Sequence, residues 1–410
     1  MPETSAVPGR SEHPSLFCVC SYEKGGAFLR EAARLGCEVR LLTVEKLRDA
    51  EEWPKDILTE FLTMPSGLSG EQVLNTVAYL ARTRRIDRIV ALDEFDQEFC
   101  ALLREHMRLP GHGQSRMRLF RDKLAMRTQA RAGNVLVPEF TGVFHHPDIA
   151  AFLRETPGPW LLKPRMNASA IGIKPIQHAD EIWPILDALG DLQSHYILER
   201  FIAGEVFHCE GIAWQGEILF RQPFQYGKPP IQTMHQGGVF TTRTLALESS
   251  DAQGIIEVHD RLLAALGMRS GVTHSEFIRS AADGRFYFLE TAARVGGAYI
   301  ADTCELATGV NPWIEWARIE VAQAEGHTYE LPPLKSNFAG SVISLARQQW
   351  PDTSAYTDPE IRKRLHKEYH AGILLESASE PRIRELLDQY GRRFLSDFNA
   401  VAPPPETLVN

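Results

Sequence analysis

Glu276 and Glu290 are the residues whose types and spacing most directly suggest chemistry. They lie in two strand-like runs, 273–280 and 285–291, on either side of an Asp283-Gly284 turn. A DG pair between β-rich runs is a strong hairpin signal. Folding the runs back about Asp283 sets Glu276 opposite Glu290, and side-chain alternation puts both carboxylates on one face. Like charges directly opposed in a sheet are destabilising. A divalent cation offsets that repulsion, because hard cations take oxygen ligands and Mg²⁺ joins a few carboxylates to substrate phosphates. Arg294 and Gly296-Gly297 follow at once, offering a fixed cation and close backbone approach. The hairpin predicts a metal–phosphate site; two solvated glutamates on an ordinary surface hairpin are the competing reading.

Lysines form a second set. Lys163 ends the apolar run Trp160–Lys163, and Lys123 follows Arg121-Asp122 on a helix rich in cations. Ammonium groups act as compact point charges and suit phosphate oxygens, although Lys123 also reads as one surface cation among several. Between the lysine at 163 and the next strand lies the small-residue loop 167–172, including Ser169 and Gly172. Such a loop lets backbone N–H groups approach an anion. Glu199, Arg200, Phe201 and Ile202 then end a strand with apolar flanks fit for a flat ligand, and Gly204-Glu205 follows. His235, Gly237-Gly238 and Arg243 by themselves read as a Gly-Gly loop with exposed polar residues.

The elements that must position these groups change character along the chain. Residues 15–108 alternate strand and helix: strands at Ser15–Cys20, 38–42 and 86–92, helices at 26–36, 70–84 and 94–108. That alternation predicts a parallel sheet with helical crossovers. The loop 21–26 lacks GxGxxG spacing and reads as a tight strand-to-helix turn. After a Pro110–Gly113 break come a basic amphipathic helix at 115–132 and short strands at 160–163, 171–174, 196–199, 205–214 and 217–223. Helices at 251–266 and 310–324 flank the glutamate hairpin. Residues 337–397 form a final α/β segment, with strands at Phe338–Leu345 and 372–375 and a helix at 381–398. These breaks give three domains: 1–110, 111–335 and 336–410.

The totals narrow the class. A chain of 410 residues exceeds one compact core, and 44% apolar with 24% charged residues is the composition of a globular protein. A net charge of -9 argues against broad nucleic-acid binding, and no apolar run is long enough to span a bilayer. Six scattered cysteines without zinc or disulfide spacing, and no secretory signal, predict a reduced cytoplasmic protein.

The order of these fragments, from Arg121-Asp-Lys123 through Lys163-Pro164, Glu199–Ile202 and Gly204-Glu205 to the hairpin, resembles the ATP-grasp superfamily of carboxylate–amine ligases over roughly residues 15–325. The resemblance implies an α/β ATP-grasp architecture: an N-terminal parallel α/β domain, a small lid at about 134–203, and a larger antiparallel α+β domain enclosing ATP. It implies Lys123 and Lys163 on the phosphates and Ser169 in the lid loop. Adenine would lie against the hinge Glu199, Arg200, Phe201 and Ile202, with the ribose at Glu205. Glu276 and Glu290 would hold one or two Mg²⁺, or Mn²⁺, and Arg294 with Gly297 would meet the substrate carboxylate and acyl phosphate. His235 and Arg243 would recognise the acceptor. An Asn usually stands two residues beyond the second Glu, and here that position is Ala292. The implied reaction joins a small carboxylic acid, most simply an amino acid, to an amine, in a possible homodimer. Phosphoryl transfer or carboxylation of another small acid, and a decayed nucleotide-binding protein, are the alternatives.

Overall fold

A computed structural model describes residues 13–168, 171–229 and 238–400. The chain forms two compact units, residues 1–117 with 313–330, and residues 118–312 with 331–410.

The first unit carries a four-stranded parallel sheet: β1 Ser15–Cys20, β2 Glu38–Val44, β3 Glu60–Met64 and β4 Arg88–Ala91, in the order β3-β2-β1-β4. Every residue of β1 is buried, because crossover helices cover both faces of such a sheet. Those helices include α1 Gly26–Arg34, α2 Gly70–Leu80 and α3 Gln97–Met107. Ser69 and Gln72 close a capping box on α2. The β1–α1 loop is a tight turn: Gly25 has φ 91°, and a Cβ there would sit 2.9 Å from Leu92 Cδ1. The Gly26 amide donates to Glu52 Oε1 at 2.8 Å, so a carboxylate of the chain already serves this helix start. The helix Pro312–Glu325 brings Trp316 edge-on to Phe28 and Glu320 to Arg88.

The second unit contains two sheets. The smaller is antiparallel, with β5 Phe140–Gly142, β6 Trp160–Pro164, β7 Lys174–Ile176 and β8 Tyr196–Arg200 in the order β5-β8-β6-β7. Helix α4 Lys123–Ala132 precedes it, capped by Asp122, whose carboxylate accepts from the Leu124 and Ala125 amides. Helices α5 His146–Glu155 and α6 Ile182–Leu189 cover it around a core of Val143, Ile149, Leu162, Ile176, Ile182 and Leu198.

The larger sheet has eight strands. They are β9 Gly204–Trp214, β10 Glu217–Tyr226, β11 Phe240–Thr244, β12 Gly271–Ser280, β13 Phe286–Ala292, β14 Phe338–Leu345, β15 Ile361–Arg364 and β16 His370–Ser377. Their order is β13-β12-β9-β10-β11-β14-β16-β15. Residues 338–377, read from sequence as a separate segment, extend this same sheet through the antiparallel β11–β14 pair. Helix α7 Ser250–Leu266 starts at a Ser249 cap and stops at the left-handed Gly267. Helices α8 Ile300–Thr308 and α9 Glu380–Asp397 complete the unit.

Register decides what each face carries. Glu276 pairs with His208, and Tyr226 with Thr242, so His208, Glu210, Tyr226, Thr242, His274 and Glu276 share one face. The odd-numbered residues of β9 and β11 face the other way. Glu205 is ion-paired there with Arg279, which also holds Asp251 of α7. Arg243 is ion-paired with Glu380 of α9 and donates to Gln225 Oε1 at 2.6 Å.

Candidate active site

The glutamate hairpin forms with Glu276 directly opposite Glu290. The register slips by one residue between Glu276 and Phe277, so Phe277 pairs with Phe288 and Leu289 is the extra residue of a bulge. The turn closes with Asp283 Oδ1 accepting the Arg285 amide at 3.1 Å and Gly284 at φ 70°. Each carboxylate has a protein partner. Tyr226 donates its hydroxyl to Glu276 Oε1 at 2.8 Å, and Lys123 Nζ lies 2.8 Å from Glu290 Oε2.

A buried polar chain backs Glu276. Thr242 Oγ1 bonds His208 Nε2 at 2.8 Å, and His208 Nδ1 donates to Glu210 Oε1 at 2.8 Å. The same Glu210 oxygen accepts from His274 Nδ1 at 2.6 Å, and His274 Nε2 lies 3.5 Å from Glu276 Oε1. Burial opposes charge on His274, but Glu210 and Glu276 push its pKa up to about 10. Burial likewise works against the Glu210 carboxylate, yet His274 and His208 hold it down at about 2. Burial keeps His208 below the usual imidazole range despite Glu210, and Glu276 stays below the usual carboxylate range, His274 and Tyr226 overcoming its burial. Gly296 lies behind this pair; a Cβ there would be 3.0 Å from His274 Nδ1 and 3.1 Å from Glu210 Oε2.

A second buried cluster joins α4 to the small sheet. Glu199 accepts from Arg127 Nε and Nη2 at 3.2 and 3.1 Å, and its other oxygen pairs with Lys163. Arg127 also lies over the Phe288 ring, 5.4 Å from its centroid. Burial raises the Glu199 pKa, but Lys163 and Arg127 outweigh it and keep it lowered. Lys123 Nζ also donates to the Asn167 carbonyl at 2.6 Å, and Arg121 Nη2 to the Met166 carbonyl at 2.7 Å, fastening the chain after β6 to the start of α4 and the residues before it. Gly172, at φ 76°, closes that loop against Pro164, whose Cγ would be 2.9 Å from a Cβ.

Among the sequence-derived candidates, Lys123, Glu276 and Glu290 converge, and Lys163 and Glu199 meet each other. The Arg200 amide bonds the Glu139 carbonyl, its side chain pairs with Glu139 at 2.6 Å, and the Phe201 amide bonds the Pro159 carbonyl. The Phe201 side chain is exposed, while Ile202 packs with Val206, Tyr226 and Ile278. Arg294 follows β13 and donates to the Val295 carbonyl at 2.8 Å; Gly297 is exposed. Glu205 and Arg243 are not brought to the carboxylates, because strand alternation turns both toward the helix-covered face. Ser169 and His235 lie outside the described residues. Sequence reasoning missed Arg127, His208, Glu210, Tyr226 and His274. Two signals were available: Arg127 is one helical turn beyond Lys123, and His274 is two residues before Glu276 on the same strand face.

Comparison with known proteins identifies the fold. The crystal structure of an L-amino acid ligase from Bacillus licheniformis superimposes with a TM-score of 0.74, covering 96% of this chain and 100% of that one at 19% identity. N5-carboxyaminoimidazole ribonucleotide synthetase from Thermus thermophilus follows at a TM-score of 0.70, covering 96% of this chain and 100% of that one at 17% identity. The chain has the ATP-grasp fold. In sequence it is similar to an L-arginine-specific L-amino acid ligase of Bacillus subtilis, 26% identical over 243 residues, 57% of this chain and 58% of that protein. The chain thus matches little more than half the length of that relative. No family model matches the chain.

Proposed function

We propose that the protein is an ATP-dependent ligase that activates a small carboxylic acid, an amino acid in the simplest case, as an acyl phosphate and joins it to an amine. The observation that carries this reading is the directly opposed Glu276–Glu290 pair with Lys123 beside it, in a fold and sequence setting similar to amino-acid ligases. The donor set fits Mg²⁺: two carboxylates on one sheet face, each already paired with a polar group of the chain. A bound Mg²⁺ would neutralise phosphate charge as phosphoryl transfer proceeds.

The chain's own residues supply position and charge. Lys123 and Lys163 offer ammonium groups to the phosphates, with Glu199 and Arg127 fixing Lys163 from behind. Ser169 is assigned to phosphate contact, and Ile202 with Phe201 borders the adenine. A carboxylate oxygen of the acid attacks the γ-phosphorus, the bond to the ADP oxygen breaks, and an acyl phosphate and ADP form. The amine nitrogen then attacks the acyl carbon, phosphate leaves, and the nitrogen gives up a proton. Arg294 and the backbone at Gly297 stabilise the oxyanion of the tetrahedral intermediate, and His235 contributes to acceptor recognition. Arg243 and Glu205 are held on the far face by Glu380 and Arg279.

The test is ADP release across a panel of amino-acid pairs, with products identified by mass spectrometry. The reading expects pair-dependent ADP release with an equimolar amide. ATP hydrolysis stimulated by one acid alone, with no amide formed, would replace it by phosphoryl transfer. Absence of both turnover and Mg·ATP binding would remove both.

A further inference from the structure

We propose that Arg127 is a positioning residue for phosphate binding: by neutralising Glu199 it leaves the charge of Lys163 free for a phosphate group of the nucleotide. The inference rests on the nucleotide reading above and adds to it a residue that is itself sealed from solvent. Arg127, Glu199 and Lys163 form one ion cluster, in which Glu199 Oε2 accepts from Arg127 and Glu199 Oε1 pairs with Lys163. Among the described residues no other carboxylate pairs with either cation. Two cations against one anion leave one positive charge over, and an unpaired buried charge is costly until an anion meets it.

Burial decides where that surplus charge is presented. The Arg127 and Glu199 side chains are 0% and 1% exposed, whereas Lys163 is 11% exposed and is the member of the cluster within reach of a ligand. Arg127 does not turn outward to meet an anion itself. Its guanidinium lies over the Phe288 ring, and its Nε and Nη2 are both committed to Glu199, at 3.2 and 3.1 Å. Its Nη1 is buried with no hydrogen-bond partner. Charge pairing with Glu199, not a full set of hydrogen bonds, therefore holds this guanidinium in place.

The consequence for Lys163 is electrostatic. Without Arg127, Glu199 and Lys163 would form a neutral pair, and a phosphate approaching the ammonium would also meet the repulsion of the carboxylate. With Arg127 in place the carboxylate is already offset, and the ammonium acts as a free point charge. The helix sets the position: Arg127 stands one turn beyond Lys123 on α4, so one helix face supplies a cation to Glu290 and another to Glu199.

Isothermal titration calorimetry of Mg·ATP on the full chain tests this, comparing the wild type with R127K, R127Q and R127Q/E199Q. R127Q keeps a polar end but removes the charge, and should weaken Mg·ATP binding about tenfold or more. R127K keeps the charge and should stay within about threefold of the wild type. Removing the carboxylate as well, in R127Q/E199Q, should restore affinity to within about threefold of the wild type, a recovery that lost packing would not show. R127M, alone and with E199Q, runs the same comparison should circular dichroism show that R127Q does not fold. Wild-type affinity in R127Q, or an equal loss in R127Q and R127Q/E199Q, would overturn the role of Arg127 and leave the nucleotide reading standing. No Mg·ATP binding by the wild-type protein would overturn both.

Discussion

Lys123 ties Glu290 to the chain after β6: one ammonium group lies 2.8 Å from the Glu290 carboxylate and 2.6 Å from the Asn167 carbonyl. The residue begins α4, so the Asp122 cap that starts the helix also aims this lysine. A charge-assisted hydrogen bond contributes about 1.5–3 kcal/mol. Lys123→Met should therefore raise the KM for ATP by about 10- to 100-fold while the protein stays folded. Steady-state kinetics at saturating acid and amine provide the check; an unchanged KM would remove Lys123 from the nucleotide site.

Glu290→Gln should abolish Mg²⁺-dependent turnover without loss of fold. The residue sits on β13, the edge strand of the large sheet, and is only partly buried, so the substitution should leave the packing intact. Circular dichroism and turnover measured on the same sample separate the two effects. Full Mg²⁺-dependent activity in this variant would contradict the metal assignment.

Glu199 is enclosed by Arg127 and Lys163, all three buried. Removing one partner of a buried ion pair leaves an uncompensated charge and costs about 3–5 kcal/mol. Glu199→Gln strands two cations, so urea unfolding should show a loss of that order. Arg200→Gln, which removes only a half-exposed pair with Glu139, should cost no more than about 1 kcal/mol.

In the N-terminal unit, Asp96 accepts from the Ser21 amide at 2.7 Å and the Ser21 hydroxyl at 2.5 Å. Burial pushes its pKa up to about 7, against the Ser21 bonds and with help from Asp93. The folded state thus holds this proton more tightly than the unfolded chain, whose Asp titrates near 3.9. Its contribution is fully present below about pH 4 and is lost as pH rises through about 7. Asp96→Asn should flatten that part of the melting-temperature profile between pH 4 and 7 and raise the midpoint above pH 7. An unaltered profile would show that Asp96 does not carry this dependence.

Much of the architecture was legible because the signals were local. The Asp283-Gly284 turn and the apolar runs around it set Glu276 against Glu290, although the pairing also needs the Leu289 bulge, which no residue type announces. The buried strand β1 stood out as an unbroken apolar run. The edge strand β3 did not, since it is mostly half-buried and shows no clean alternation. What stayed hidden depends on register between distant strands. Glu210 meets His274 across 64 residues of chain, and nothing local to either residue reveals the other. The ion pairs of Glu205 with Arg279 and of Arg243 with Glu380 were hidden for the same reason, since both partners are distant in sequence.

Oxygen-isotope transfer tests the central claim most directly. With the acid substrate labelled by ¹⁸O in its carboxylate, activation as an acyl phosphate moves one carboxylate oxygen to phosphorus. The account predicts one ¹⁸O in the released phosphate for each amide formed, accompanied by ADP, as read by mass spectrometry. Unlabelled phosphate, or AMP and pyrophosphate in place of ADP, would contradict it.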